Sequence, residues 1–251
     1  MFRSVPPRFT VVCLSVALLV ATSAAPLVWA GGIASDLTVT RADFGSIGAV
    51  KPAVLDLALG AAACAVRSGA VESPATLTVI DYSLPSTSKR MWVYDLNART
   101  LVFEELVAHG AASGDNFATS FSNTPDSHQT SLGLFVTDEP YVGKNGYSLR
   151  MDGLDSGIND RARERAIVIH GAPYVSDAFA KTQGRLGRSW GCPAVRGVIA
   201  KSLIDRVRGG GLVFAYYPDP QFLAESRYVQ CAQNPGNDRA RLETTADVTA
   251  E

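Results

Sequence analysis

Seven short runs rich in Val, Ile, Leu, Phe and Tyr recur along this chain, at "TLTVIDY", "RMWVYDL", "TLVFEELVAHG", "LGLFVTD", "YSLRMDG", "RAIVIHG" and "GLVFAYY". Most are joined by connections too short to hold a crossover helix, and "NAR" between the second and third has the length of a hairpin turn. That spacing favours a β-rich core over repeated βαβ units. Two stretches read as helices. "KPAVLDLALGAAACAVRSG" is apolar nearly all round and stops at Gly69, as a buried helix does. In "VIAKSLIDRVRGGG", Ala200, Leu203, Ile204 and Val207 share a face that Lys201, Asp205 and Arg206 avoid, and the glycines end it. The expected class is therefore β-rich α+β, with a buried N-terminal helix and one helix after residue 192.

The ends have a different character. Arg3 and Arg8 precede "FTVVCLSVALLVATSAA", which is short for a membrane span, and "VWA" at Val28–Ala30 fits small-residue cleavage. An export signal over residues 1–30 is expected, with an uncleaved anchor as the alternative. No stable membrane span is expected once it is removed. Residues 31–75 then form an N-terminal helical extension, 76–220 the main domain and 221–251 a C-terminal segment. After Cys231 the residues are polar and unpatterned, and disorder is expected there. A formal net charge of −1 gives no footprint for nucleic acid.

Export makes the cysteines informative. Past residue 30 there are three, Cys64, Cys192 and Cys231, an odd number in an oxidising compartment. A Cys64–Cys231 bridge would close a very long loop and leave Cys192 free, although sequence alone leaves the connectivity open. The three histidines, His109, His128 and His170, have no ligand spacing, so no metal and no cofactor are expected.

Cys192 lies in "GRLGRSWGCPAV", and His170 ends the apolar run "AIVIHG". A cysteine attacks as thiolate, and an imidazole that takes its proton makes the pair an acyl-transfer site; a buried inert thiol is the bland alternative. Pro193 suits a helix first turn or a tight turn, and it has no N–H. Oxyanion donors must then come from Cys192, Gly191 and Trp190.

"HG" at a strand end, a spacer and then "S-x-G-C" resembles the signature of the cysteine L,D-transpeptidases. "SWGCPAV", "SLGLF" and "YSLRMDGLDSGINDRARERAIVIHGAPYV" resemble the murein L,D-transpeptidase catalytic-domain family, over about Leu55 to Tyr217. The resemblance implies a sandwich-like β domain and ping-pong acyl transfer, with Cys192 as nucleophile, His170 as base and the Gly171 region orienting the imidazole through a carbonyl. It implies a peptidoglycan tetrapeptide stem as donor, and an amine on another stem or on a partner protein as acceptor. The chain departs from the wider pattern at Trp190, usually histidine, and at Ala194, usually arginine. Arg188 and Arg196 are the candidate replacements for that arginine. Ser189, Trp190 and Asn123, with Ser127 and Ser131 of the long polar segment before "LGLF", are candidate substrate contacts. A hydrolytic L,D-carboxypeptidase and a silent wall-binding module are the rival readings.

Overall fold

The computed structural model describes Met1 and residues 37–234. The expected export signal, beyond Met1, and the tail from residue 235 lie outside the described residues.

Helix α1 (Pro52–Arg67) starts on a proline whose fixed φ suits the first turn, and Arg67 complements the dipole at its end. Leu55, Ala58, Ala61, Ala62 and Ala65 are fully buried. Alanines allow close approach, and at Gly60 a Cβ would come within 2.8 Å of the Ala232 Cβ. Among the described residues, nine strands follow the helix. They are β1 (Thr76–Asp81), β2 (Met91–Asp95), β3 (Thr100–Glu105), β4 (Val107–Ala108), β5 (Gly133–Gly143), β6 (Gly146–Gly153), β7 (Val168–Ala172), β8 (Ala194–Arg196) and β9 (Leu212–Tyr216). The further helices are α2 (Asp177–Gln183), α3 (Gly197–Val207), α4 (Pro220–Glu225) and α5 (Arg227–Gln233). α3 buries Ala200, Leu203, Ile204 and Val207, the face legible in its spacing.

All nine strands join one sheet in the order β3-β2-β1-β9-β5-β6-β7-β8-β4. Only β1/β9 and β7/β8 run parallel. Its two edges, β3 and β4, are separated in the chain by Leu106 alone, so the sheet curls until its edges meet. Two arginines tie the seam: Arg90 Nε and Nη2 donate to the Val107 carbonyl, and Arg196 of β8 grips Glu105 of β3 with both forks. The expected sandwich is this single, nearly closed sheet. Pro140 cannot donate to the ladder, and the β5/β6 register shifts there.

Cys64 and Cys231 are bonded, joining α1 to α5 across 167 residues of sequence, and Cys192 is the free cysteine among the described residues. α5 runs two residues beyond Cys231, the point at which order was expected to end, because the bridge and the Gly60–Ala232 contact hold it on α1. α1 itself contributes to the same apolar core as the sheet.

Candidate active site

β7 carries His170 into the interior, where it is 4% exposed, between Ser148 of β6 and Ala194 of β8. Its Nδ1 lies 3.0 Å from the Gly171 carbonyl. A carbonyl only accepts, so that bond places the proton on Nδ1 and leaves a lone pair on Nε2. Gly171 is required for packing: a Cβ there would meet the Ala200 Cβ at 2.9 Å and the Gly197 Cα at 3.2 Å. Burial pulls His170 below the usual imidazole range, so it is neutral at pH 7.

The chain from β7 to β8 is pinned rather than free. Ser176 caps α2 and Gly184 ends it in the left-handed region. Leu186 is fully buried in a small cluster with Leu106, Ala172, Val175 and Ala194. Ser189 bridges to Gly110: its N–H donates to the His109 carbonyl at 3.0 Å, and its carbonyl accepts from Ala111 N–H at 2.8 Å. Its hydroxyl donates to the Cys192 carbonyl at 2.6 Å and accepts from Gly191 N–H at 3.2 Å. The Ser189 side chain is thus committed to the turn, and so is the Gly191 N–H. Gly191 has φ 114°, and a Cβ there would lie 2.7 Å from the Gln129 carbonyl, so only glycine fits.

Cys192 is 8% exposed and stands two residues before Ala194, the register partner of His170. Pro193 leads straight into β8, and α3 begins only at Gly197. Of the two settings expected for Pro193, a helix first turn or a tight turn, the helix is absent, since a fixed φ serves a strand entrance equally well. The sulfur lies 3.6 Å from the Ala166 carbonyl, and among the described residues this, not the His170 ring, is its hydrogen-bond acceptor. Burial pushes the Cys192 thiol up, opposed by the Val168 amide and the Arg165 charge. A cleft of about 190 Å³ opens at the same two places, lined by Tyr141, Arg150, Met151, Arg163, Ala166, Ile167 and Val168.

The other predicted positions fall around this centre in different ways. Trp190 is 68% exposed and stacks on His128 at 4.7 Å, with Lys144 of the β5–β6 turn 5.7 Å from its ring. Arg188 is bound to Asp115 at 2.8 Å and to the Gly114 carbonyl at 3.0 Å. Arg196 is held by Glu105 at the seam. Asn123 joins Asp160 at 2.6 Å and lines a separate groove of about 390 Å³ with Phe121, Asp219 and Phe222. Ser127 and Ser131 both accept from Arg165. His109 accepts from Arg90 at Nδ1, 2.7 Å away, and burial takes it down to about 4. The three histidines therefore occupy separate surroundings.

The sequence reading missed Arg165. It sits in "RARER", where alternating charges suggest a solvated stretch, and Arg161 and Arg163 do hold Glu164, Asp138 and Asp152. The signal was its place, directly before the run that delivers His170.

A family model described as the L,D-transpeptidase catalytic domain matches residues 47–216. No curated protein sequence matches the chain significantly. Similar solved structures include the L,D-transpeptidase from Mycobacterium smegmatis, 14% identical over 57% of this chain and 59% of that one, with a TM-score of 0.35. An L,D-transpeptidase from Mycobacterium tuberculosis is 14% identical over 58% and 59%, with a TM-score of 0.35. One from Stackebrandtia nassauensis is 14% identical over 65% and 68%, also at 0.35. This chain spans about three fifths of the length of the two mycobacterial proteins. With the family model covering most of the chain and both Cys192 and His170 lying inside it, this protein belongs to the L,D-transpeptidase catalytic domain family.

Proposed function

We propose that the protein is an exported cysteine L,D-transpeptidase that works on peptidoglycan tetrapeptide stems through a thioester. One observation carries the reading. A buried imidazole, fixed with its Nε2 lone pair free, sits on the strand beside the one that begins just after the free thiol.

Cys192 rests as a neutral thiol and His170 as a neutral base. Attack by Sγ on the carbonyl between meso-diaminopimelate and terminal D-alanine forms the S–C bond, as the thiol proton passes to His170 Nε2. With the Gly191 N–H held by Ser189 and Pro193 lacking one, the N–H groups of Cys192 and Trp190 are the donors for the oxyanion. Collapse breaks the C–N bond, and His170 returns the proton to the departing D-alanine amine. An acceptor amine then attacks the thioester, giving up its proton through His170 to the released sulfur. Arg150, 4.2 Å over the Tyr141 ring in the cleft lined by Ala166 and Val168, is paired with Glu139 at 3.2 Å and would exchange that partner for a stem carboxylate. The acceptor is a second stem or a partner protein bearing an amine. Reaction in the cell envelope, outside the cytoplasm, agrees with a disulfide in the same chain as a free nucleophile.

Incubation with disaccharide-tetrapeptide followed by mass spectrometry tests this. The expected product is a dimer lacking one D-alanine, absent with Cys192→Ala and His170→Ala. Tripeptide without dimer would mean an L,D-carboxypeptidase, and no product at all would leave a wall-binding module.

A further inference from the structure

Arg165 differs from its neighbours in what it holds. Its guanidinium donates to the Ser122 carbonyl at 2.6 Å, the Gln129 carbonyl at 2.6 Å, and the Ser127 and Ser131 hydroxyls. All four acceptors are neutral, whereas Arg161, Arg163, Arg188 and Arg196 each bind a carboxylate. A half-buried guanidinium without a counterion is costly unless something nearby becomes negative.

Its place shows what that is. Ala166, the next residue, has φ 52°, a left-handed conformation that a non-glycine residue keeps only when its surroundings enforce it. That turn sets the Ala166 carbonyl 3.6 Å from the Cys192 sulfur. On the other side, the Gln129 carbonyl that accepts from Arg165 backs directly onto Gly191, next to Cys192. Arg165 is therefore the residue before the thiol's contact, and it also holds the segment behind Gly191, the residue before the thiol. The titratable groups acting on the sulfur from other elements are Tyr82, just past β1, and Tyr174, after β7, while His170 stands on β7 beside β8. Burial keeps both phenols protonated and the imidazole neutral. Among the described residues, Arg165 is the fixed charge acting on Cys192.

We propose that Arg165 is the positioning residue of the nucleophile: it clamps the segment from Ser122 to Ser131 behind Gly191 and presents a positive charge to the Cys192 sulfur as the sulfur turns anionic. The consequence for turnover rests on the transpeptidase reading, but the charge itself does not.

The test is iodoacetamide alkylation of the full chain from pH 5 to 10, read as adduct on the peptide containing Cys192. Cys192→Ala serves as blank, and thermal melting reports folding. An opposite charge at close range moves a titration by about one unit or more, so Arg165→Gln should displace the curve upward and slow alkylation about tenfold at neutral pH. Arg165→Lys, which keeps the charge but cannot span four acceptors, should stay within about threefold of wild type. A folded Arg165→Gln whose curve superimposes on wild type overturns the proposal and leaves only a structural clamp. If Arg165→Gln does not fold, Arg165→Lys decides: a wild-type curve supports the charge role, and a tenfold displacement overturns it. Alkylation needs no stem peptide. A displaced Arg165→Gln curve in a protein that makes no dimer would refute the transpeptidase reading and leave this inference standing.

Discussion

Replacing both bridged cysteines, Cys64→Ala with Cys231→Ala, should be the most damaging change remote from the site. The bridge closes a loop across 167 residues. In the chain-entropy treatment, releasing a loop of that length gives the unfolded chain about 17 cal/mol/K, or about 5 kcal/mol at 25 °C. For a domain of this size each kcal/mol moves Tm by about 2–4 °C, so the expected fall is about 10–20 °C. Noncovalent packing of α5 on α1 sets how much of that is realised. Val229 is fully buried, and Tyr228 is 2% exposed, so the helix has apolar reasons to stay docked without the bridge. The double variant is the right perturbation because a single one leaves an odd thiol free to exchange with Cys192. The assay is urea unfolding with a thermal melt. Alongside the loss of stability, the urea m-value should rise, since an unlooped chain exposes more surface. A fall in Tm of less than about 3 °C with an unchanged m-value would refute the reasoning, because loop closure would then not restrict the unfolded state.

Three other outcomes are expected. His109, fully buried and taken down to about 4 from 6.5, binds its proton more readily when unfolded. Its contribution of about 3 kcal/mol is therefore complete above about pH 7 and lost as the pH falls towards 4; urea titrations across that window should show the slope, and His109→Gln should flatten it. Because burial holds His170 below its usual range, the acid limb of kcat/KM for dimer formation should have its midpoint below 6.5, and a midpoint above 7 would exclude a neutral buried base. Gly191→Ala should cost about 1–3 kcal/mol by thermal melt, as its φ and the Gln129 carbonyl leave no room for a methyl.

Much of this architecture is legible in the residues. The seven apolar runs became strands because β-branched and aromatic side chains at short spacing have few other ways to be buried, and the face of α3 followed from its period. β8 was not legible: Ala194–Arg196 is three residues long, and it is a strand only because β7 and β4 flank it. α5 was hidden in a polar stretch, where it is held by a bridge to a helix far away in sequence. The site shows the same division. His170 and Cys192 announce themselves through local context. Which arginine serves the thiol depends on which carboxylates have taken the others, and those partners lie far off in the chain: Glu105 for Arg196, Asp115 for Arg188. No local pattern encodes such pairings.

The depth of Cys192 has a further consequence, for the lifetime of the protein. Peroxide and oxidised small thiols react with thiolate, at a rate set by its population and its exposure. A thiol that is 8% exposed, protonated at rest and set against a backbone carbonyl presents little of either. On the proposed mechanism, its activation would wait until an acyl donor is bound and proton transfer to His170 accompanies attack. If the protein is exported as proposed, Cys192 can thereby persist unpaired in oxidising surroundings without being capped as a sulfenic acid or a mixed disulfide, and slow chemistry towards small electrophiles is the other face of that endurance.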